Sequence, residues 1–273
     1  MTIPFVDDGE WLKRTDPNRP VTEAWTDPVW RIANAYSIRN DQGDVIKFTP
    51  TREQRVIIWD IHVRGYKNIL IPKARKLGMS TVLRVIGADM MAFENGVEVA
   101  LVDRTQPDSE KKLRNMVKFT YESLPAWFRS SIKVEIDNKG EFSIVPIKST
   151  DKRDMSIFEA GVSFRGGTPQ FLIVSEWGAT QYDDPSRSRE IKTGAMVAAK
   201  FGIRVIETTW KGGPCGDVWS YVEMANMIPE ARKTKSDWRI RFFPWYIDLR
   251  NSREGDIEFI SKEVNDYLDG KEK

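Results

Sequence analysis

The chain has 273 residues, of which 40% are hydrophobic and 30% charged, enough for one large domain or two small ones. Its 42 Lys and Arg against 40 Asp and Glu leave a formal net charge of +2, so any nucleic-acid surface must come from local clustering. The single cysteine, Cys215, excludes an internal disulfide, and with the single histidine, His62, it cannot form a Cys/His zinc site. No apolar run approaches the ~20 residues that span a bilayer, and the amino terminus has no signal-peptide pattern. We therefore expect a reduced, soluble protein of the cytoplasm.

Residues 1–49 are rich in Pro, Asp and Trp, and are predicted to form an N-terminal extension or lid, with a helix or lid segment over 29–38. From residue 50 the pattern changes to alternating elements. A helix is predicted over 50–66, a short buried strand over 68–71, and a helix over 79–93 that is apolar nearly all round. A helix of that kind is expected to lie buried against a sheet.

The next elements are a strand over 97–103 and a helix over 106–124. Thr105 and Asp108 resemble a capping box, with Pro107 in the first turn. The runs IKVEID and EFSIVPI flank Asn138-Lys139-Gly140 and predict a hairpin.

Further apolar runs predict strands over 171–176, 202–209 and 238–245, separated by helices over 186–200 and 216–227. Strands that alternate with helices imply an α/β fold, a mostly parallel twisted sheet with helices on its faces. We assign residues 50–250 to this domain and 251–273 to a polar tail or the start of a linker.

The stretch IPKARKLGMSTV is similar to the phosphate-binding pattern GxxxxGK[ST], but Lys73 stands at the first glycine and Met79 at the lysine. Gly78 would permit the close turn and the Ser80 hydroxyl could bind Mg²⁺. Lys73, Arg75 and Lys76 are alternative phosphate cations. Alone, this pattern is also compatible with a basic turn between a strand and a helix.

Two later strands end in polar residues. FLIVSE has the form of a buried strand ending in a carboxylate, and Glu176 could activate a water, although Ser175 stands where many such proteins have a magnesium-binding aspartate. Thr208 and Thr209 end the strand in VIETTWKGG and could sense a phosphate by hydrogen bonding. Ligands gather at the carboxyl ends of parallel strands, so these three segments predict one site.

With these segments, the sequence from about residue 27 to 248 resembles the ATPase domain of the large terminase subunit of tailed bacteriophages. KARKLGMST is similar to that family's deviant Walker A motif, with Arg75 at the typical early arginine. FTPTREQ resembles its adenine-side glutamine motif, with Gln54. RGGTPQFLIVSEWG resembles its RGGT and Walker B segment, and IETT its coupling motif.

The resemblance implies a P-loop NTPase fold of the RecA-like ASCE type, with ATP and Mg²⁺ as cofactors. Glu176 and Arg75 would be catalytic, Ser80 would bind Mg²⁺, and Thr208 and Thr209 would couple hydrolysis to movement. Candidates for an arginine finger or sensor are Arg165, Arg153, Arg187 and Arg189. The implied nucleotide-binding residues are Gln54, Lys73, Arg75, Lys76, Gly78, Met79, Ser80 and Thr81.

The implied activity is ATP-driven translocation of double-stranded viral DNA into a procapsid in an infected host cell. Implied partners are DNA bound without sequence preference, a portal protein, a small terminase subunit and further copies of this chain. No nuclease activity is expected, because about 25 residues follow residue 248. The alternatives are a helicase-like or repair ATPase, and a non-enzymatic DNA-binding or capsid-associated protein with a vestigial loop.

Basic clusters on the predicted helix and near residue 232 could contact DNA phosphates, although a solvated face is the default for such clusters. Their members are Lys111, Lys112, Arg114 and Lys118 in the first and Arg232, Lys233 and Lys235 in the second. Trp177 could stack on a base or pack in the protein.

Overall fold

The computed structural model describes residues 6–40, 42–211 and 213–244. The strands are β1 (Ser37–Arg39), β2 (Val45–Lys47), β3 (Asn68–Pro72), β4 (Glu98–Val102), β5 (Ile132–Asp137), β6 (Glu141–Pro146), β7 (Ser156–Gly161), β8 (Phe171–Ser175), β9 (Ile203–Thr208) and β10 (Trp238–Ile240). The helices are α1 (Asp8–Thr15), α2 (Val21–Thr26), α3 (Pro28–Asn34), α4 (Arg52–His62), α5 (Met79–Phe93), α6 (Gln106–Lys112), α7 (Phe119–Glu122), α8 (Ala126–Arg129), α9 (Trp177–Asp183), α10 (Pro185–Thr193), α11 (Ala195–Ala198) and α12 (Gly216–Met227).

Eight strands form one sheet in the order β10-β3-β9-β8-β4-β7-β6-β5. The first six are mutually parallel, and β6 and β5 continue the sheet as an antiparallel hairpin. Strand β9 lies between β3 and β8, so the chain segments that follow these three strands meet at one edge of the sheet. We call it the carboxyl edge.

Alternate side chains of the parallel strands enter two separate cores, as the period of two requires. Ile69, Ile71 and Val205 pack with helices α4 and α5, whereas Leu70 and Ile206 pack against the other face with α9 to α12. Strands covered on both faces explain the continuous apolar runs in the sequence.

The N-terminal segment shares the first core. Trp11, Ile32 and Phe48 are buried with residues of α4 and α5. Arg31 makes a two-pronged ion pair with Asp89 of α5, at 2.9 and 2.7 Å, and the Tyr36 hydroxyl donates to the same carboxylate at 2.7 Å. The extension is thus fastened to the longest helix of the described chain. The division at residue 49 remains a prediction.

The predicted mostly parallel sheet is confirmed, as are the helices at α4, α5 and α12, the strands at β3, β4, β8 and β9, and the hairpin β5–β6. The predicted helix over 106–124 begins as expected, with the Thr105 hydroxyl accepting from the Asp108 N–H. It then includes a π-helical stretch, Leu113–Lys118, before α7. The expected single helix over 186–200 is broken at Gly194 into α10 and α11.

Two pairing elements, the β1–β2 hairpin and the strand β7, were not predicted from the sequence. The β1–β2 hairpin is only three residues per strand, and β7 alternates buried and less buried residues in SIFEAG, a weak signal over six residues. The predicted strand over 238–245 is found as β10 for its first three residues, and its last residue lies outside the described chain, as does the predicted tail. No helix within the described ranges is long and apolar enough to cross a membrane.

Candidate functional site

The loop between β3 and α5, residues 73–78, turns sharply at the carboxyl edge. Gly78 caps α5 with φ +68°, in the left-handed region that favours glycine. The Gln54 amide donates to the Gly78 carbonyl at 2.9 Å, and its oxygen accepts from the Thr51 N–H in a complete capping box at the start of α4. Gln54 therefore ties the first turn of α4 to this loop.

A cavity of about 750 Å³ opens beside the loop. Its walls come from the β1–β2 hairpin, the start of α4 and the first turn of α5. Four of its described lining residues are basic, namely Arg39, Lys47, Lys73 and Lys76, and none is acidic. The size is within the range of small-molecule sites, and the charge favours an anionic ligand.

Polar side chains stand in a row along the carboxyl edge, on the face covered by α5. Glu207 on β9 pairs in register with Ser175 on β8, and Lys73 and Asp103 follow the ends of β3 and β4 on either side. The row arises because each strand emerges from its buried apolar segment at the same level, with alternate residues facing α5.

Glu207 is fully buried at the centre of this row. Its Oε1 accepts from the Ser80 hydroxyl at 2.6 Å and from the Ser175 hydroxyl at 2.7 Å. Arg84, also fully buried, lies 3.2 Å from the same oxygen, and Lys73 Nζ lies 3.2 Å from Oε2. Burial alone would raise the pKa of Glu207, but the charges of Lys73, Arg84 and Lys112 outweigh it and hold that pKa well below its usual range.

The pKa values of two neighbouring cations, Lys73 and Lys112, are shifted in opposite directions. Burial lowers the pKa of Lys73, but the carboxylates of Glu207 and Glu176 more than compensate and raise it above its ordinary value. Burial and the charge of Arg84 lower the pKa of Lys112, although Lys112 pairs with Asp103 at 2.5 Å and donates to Ser175 at 3.0 Å. Three cations and three carboxylates, counting Glu176, thus balance one another formally at this edge.

Glu176 follows β8 in the left-handed conformation, with φ +54°, which is uncommon for a residue with a side chain. Its Oε1 lies 3.2 Å from Lys73 Nζ. Its Oε2 accepts from the Thr209 hydroxyl at 2.6 Å and from the Thr209 N–H at 3.2 Å. The carboxylate is fixed by three donors yet a quarter of the side chain remains exposed, so it stays accessible to a small reactant.

Thr208, unlike Thr209, forms its side-chain hydrogen bonds with the backbone. Its hydroxyl accepts from the Gly178 N–H at 2.9 Å and donates to the Thr209 carbonyl. A Cβ on Gly178 would come within 2.8 Å of that hydroxyl, so the glycine allows α9 to approach the end of β9. Thr208 therefore fixes the backbone around Glu176 rather than facing the cavity.

The candidate phosphate cations differ in placement. Lys73 is largely buried between two carboxylates, whereas Arg75 is exposed and forms no ion pair with the described residues. Lys76 lines the cavity with φ +63°. Met79, at the lysine position of the standard pattern, is 1% exposed and packs in the core, so only its backbone is available to a ligand. Thr81 lines the cavity beside Ser80.

The four candidate arginines are dispersed. Arg187 donates to the Asp103 and Val162 carbonyls near the carboxyl edge. Arg165 pairs with Glu190 at 3.0 Å, and Arg189 is exposed on α10. Arg153 pairs with Asp151 next to Gly96, at the opposite edge of the sheet. Within one molecule, none of the four contacts Glu176 or Lys73.

The first basic cluster does not form a common solvated face. Lys112 turns inward to Asp103, and Lys118 pairs with Asp137 and donates to the Asn138 carbonyl, which leaves Lys111 and Arg114 exposed. In the second cluster Lys233 pairs with Glu230. Trp177 is fully buried, donates to the Ser188 hydroxyl and packs against Tyr221, so it does not stack on a base.

Glu207 and Arg84 were not predicted from the sequence to have a role, and Lys112 was predicted only as a candidate DNA contact. Glu207 lies inside the IETT segment, where the sequence prediction concerned Thr208 and Thr209. A signal did exist, because a charge inside an otherwise apolar strand or helix is costly unless it is paired.

The sheet order and the loop between β3 and α5 define a RecA-like α/β fold. Solved structures agree. The ATPase domain of the Thermus phage P74-26 large terminase matches with a TM-score of 0.51 at 15% identity, covering 80% of this chain and 92% of that one. An arginine-to-alanine variant of that domain matches at 0.53 and 17%, over 72% and 81% of the two chains.

The HK97 bacteriophage large terminase matches with a TM-score of 0.51 at 14% identity, over 72% of this chain and 40% of that one. Comparison with protein-family profiles and with curated proteins yields no sequence match. At such low identity the likeness establishes the shared fold, and the activity has to follow from the residues of the site.

Proposed function

We propose that this chain is the ATPase domain of a bacteriophage large terminase, which hydrolyses ATP to drive double-stranded DNA into a procapsid. The observation that carries the proposal is Lys73, 3.2 Å from both Glu176 and Glu207 at the wall of a basic cavity. A phosphate-binding cation thus stands beside a carboxylate suited to activate water.

The nucleotide would occupy the cavity with its phosphates against the β3–α5 loop. Backbone N–H groups of residues 76–80 and the amino end of α5 favour an anion there. Gln54 and Thr81 line the same cavity, and the β1–β2 hairpin closes its far side. Lys73 rather than Arg75 is the principal cation of this site, since Lys73 already lies beside Glu176 and Glu207 whereas Arg75 is exposed and forms no ion pair with the described residues.

The site also suits Mg²⁺. The Ser80 hydroxyl lies beside a carboxylate that is held ionised, and hard oxygen ligands of this kind, with phosphate oxygens, are those that Mg²⁺ prefers. Ser80 would hold the ion, which supplies positive charge to the phosphate oxygens when bound.

Glu176 would accept the proton of the attacking water as the bond to the γ-phosphorus forms and the bond to ADP breaks. Thr209 holds Glu176 in one orientation through two hydrogen bonds. The γ-phosphate would compete with Glu176 for Lys73, which frees the carboxylate for this role. Because Thr209 directly follows β9, a movement of that strand would displace Glu176, and this supports coupling between hydrolysis and translocation.

The motor requires neighbours. We propose that further copies of the chain assemble on a portal protein with a small terminase subunit, and that an arginine from a neighbour completes the site. Exposed candidates are Arg189 on α10 and Arg165, which pairs with Glu190 of α10. Double-stranded DNA would be bound through its phosphates, independently of sequence.

The test is Mg²⁺-dependent ATP hydrolysis, with and without double-stranded DNA, in the unaltered chain and in Glu176→Gln. We expect Glu176→Gln to lower kcat at least 100-fold while it retains ATP binding, because the general base is lost but the phosphate contacts remain.

A matched control is Glu141→Gln on β6, three strands away from β8 in the sheet, which should leave kcat unchanged. Stimulation by double-stranded DNA favours the packaging motor, and stimulation confined to single-stranded or damaged DNA favours a helicase-like or repair ATPase. Absence of both ATP binding and hydrolysis at millimolar ATP, with procapsids and DNA present, would refute the proposal in favour of a vestigial loop.

A further inference from the structure

A magnesium-bound P-loop site usually needs a carboxylate next to the loop's Ser or Thr, and this role commonly belongs to an aspartate that ends the Walker B strand. In this chain that position is Ser175. A serine hydroxyl carries no charge, and here it donates a hydrogen bond to Glu207. The carboxylate for this role must therefore come from elsewhere.

Of the three carboxylates described in the polar row at the carboxyl edge, only Glu207 forms a hydrogen bond with the Ser80 side chain. Asp103, on the far side of Ser175, is engaged by Lys112 and by the Arg104 N–H. Glu176 faces Lys73 and Thr209. Glu207 Oε1 lies 2.6 Å from the Ser80 hydroxyl.

We propose that Glu207, on the strand between β3 and β8, positions Ser80 and the water shell of the nucleotide-bound Mg²⁺, in place of the missing Walker B aspartate. The inference rests on the proposed ATP site. It assigns Glu207, the acidic residue of the IETT segment, to the metal side of the site. The carboxylate would then come from β9 instead of β8, the neighbouring strand that ends at the Walker B position.

The surroundings of Glu207 favour this role over a simple internal ion pair. Three cations from three elements, Lys73, Arg84 and Lys112, keep the carboxylate charged without occupying all of its acceptor positions. Oε2 lies 3.2 Å from Lys73 Nζ but accepts no well-aligned hydrogen bond from the described residues. A carboxylate that is ionised, fixed and still able to accept can bind a metal-coordinated water.

Arg84 anchors this arrangement. It lies one turn after Ser80 on α5 and donates to the Ser80 carbonyl at 2.7 Å while it pairs with Glu207. The Arg84–Glu207 pair thus holds both the backbone and the hydroxyl of Ser80. Displacement of Glu207 would therefore move the hydroxyl away from the phosphate side.

The experiment measures the dissociation constant of a fluorescent ATP analogue in EDTA and in excess Mg²⁺, for the full chain. The dissociation constant in EDTA divided by the dissociation constant in Mg²⁺ is the magnesium ratio, which reports how strongly Mg²⁺ assists binding. We expect Glu207→Gln to reduce this ratio at least 10-fold, with the constant in EDTA changed less than about 3-fold, because the contacts to the phosphates persist.

Glu207→Asp provides a second variant should Glu207→Gln fail to fold. It retains the negative charge that Lys73, Arg84 and Lys112 require, but withdraws the oxygens from Ser80, and the same loss of magnesium assistance is expected. Adding Ser175→Asp to Glu207→Gln returns a carboxylate to the Walker B position and should restore at least part of the ratio.

The matched control is Asp60→Asn on α4, an equally buried carboxylate that pairs with Arg64 and Arg241. It should lower stability but leave the magnesium ratio unchanged. If Glu207→Gln or Glu207→Asp weakens binding equally in EDTA and in Mg²⁺, or leaves the ratio intact, Glu207 is a structural residue and the inference is wrong. If the unaltered chain binds no nucleotide in any condition, the proposed function itself has failed.

Discussion

At the scale of single residues, the site depends on charges that are buried but paired. Lys73, Arg84 and Glu207 each would be unfavourable alone in the interior. Together they form a cluster in which removal of one member leaves another uncompensated. Variants should therefore be compared by function and by stability in parallel.

The first prediction concerns the two candidate phosphate cations. Lys73→Gln should lower kcat/KM for ATP by about 100-fold or more, because a positioned cation is lost from the transition state. Arg75→Gln, at an exposed position, should lower it less than about 10-fold. Steady-state hydrolysis measures both, with thermal unfolding to show that each variant is folded. A larger effect at Arg75 would reverse the assignment.

The second prediction concerns pH. Burial lowers the pKa of His62 from its ordinary value of 6.5 to about 4, and its Nε2 is buried without a hydrogen-bond partner in the described chain. Between these values the unfolded chain binds the proton and the folded chain does not, so stability falls as the pH is lowered from about 6.5.

The shifted pKa of His62 should lower the free energy of unfolding by about 2 kcal/mol between pH 7 and pH 5. It can be measured by urea denaturation at both pH values. Since His62 is the single histidine of the sequence, His62→Phe should flatten this part of the profile. An unchanged slope in the variant would assign the pH dependence to other groups.

At the scale of elements, the geometry of the loop depends on the contact between α4 and the start of α5. A Cβ at Gly78 would lie 2.4 Å from Gln54 Nε2, and the left-handed φ adds strain of about 1–2 kcal/mol. Gly78→Ala should therefore displace Gln54 and weaken ATP binding at least 10-fold.

Gly213→Ala is the matched control for Gly78→Ala. Gly213 has φ +77° and no atom within 4 Å of a built Cβ, so this variant carries the strain without the collision. It should lower stability by about 1 kcal/mol and leave ATP affinity unchanged. Equal effects of the two variants on ATP affinity would show that contact with Gln54 is unimportant.

At the scale of the whole molecule, the N-terminal segment and the sheet share one core, and the buried Arg31–Asp89 pair joins them. Arg31→Met would leave the Asp89 charge in the interior without its partner. We expect the free energy of unfolding to fall by about 3–5 kcal/mol. Denaturation should remain a single transition, because the segment and α5 lose their common packing together.

Arg153→Met removes an exposed pair of the same chemical type, with the arginine side chain 90% exposed. Solvent screens such exposed pairs, so little change in the free energy of unfolding is expected. A separate early transition for the N-terminal segment in the unaltered chain would instead support the predicted domain boundary at residue 49.

The sequence by itself determined the main elements and their order. The apolar runs at β3, β8 and β9 are long enough to be recognised, and each is followed by polar residues, so the edge that carries the site followed from parallel pairing. The resemblance of KARKLGMST and SEWG to known motifs indicated the class. Short or irregular elements, such as β1, β7 and the π-helical stretch, carry too few residues for a periodic pattern.

Only the tertiary structure decided which charges act together. In the sequence both Lys73 and Arg75 are candidate phosphate cations, and the motif resemblance favours Arg75. In the structure Lys73 lies between Glu176 and Glu207, residues more than 100 positions away. Lys112 lies among surface lysines in sequence but turns inward to Asp103. Such choices depend on the strands brought side by side in the sheet, since a buried charge takes the partner that space provides rather than the one nearest in the chain.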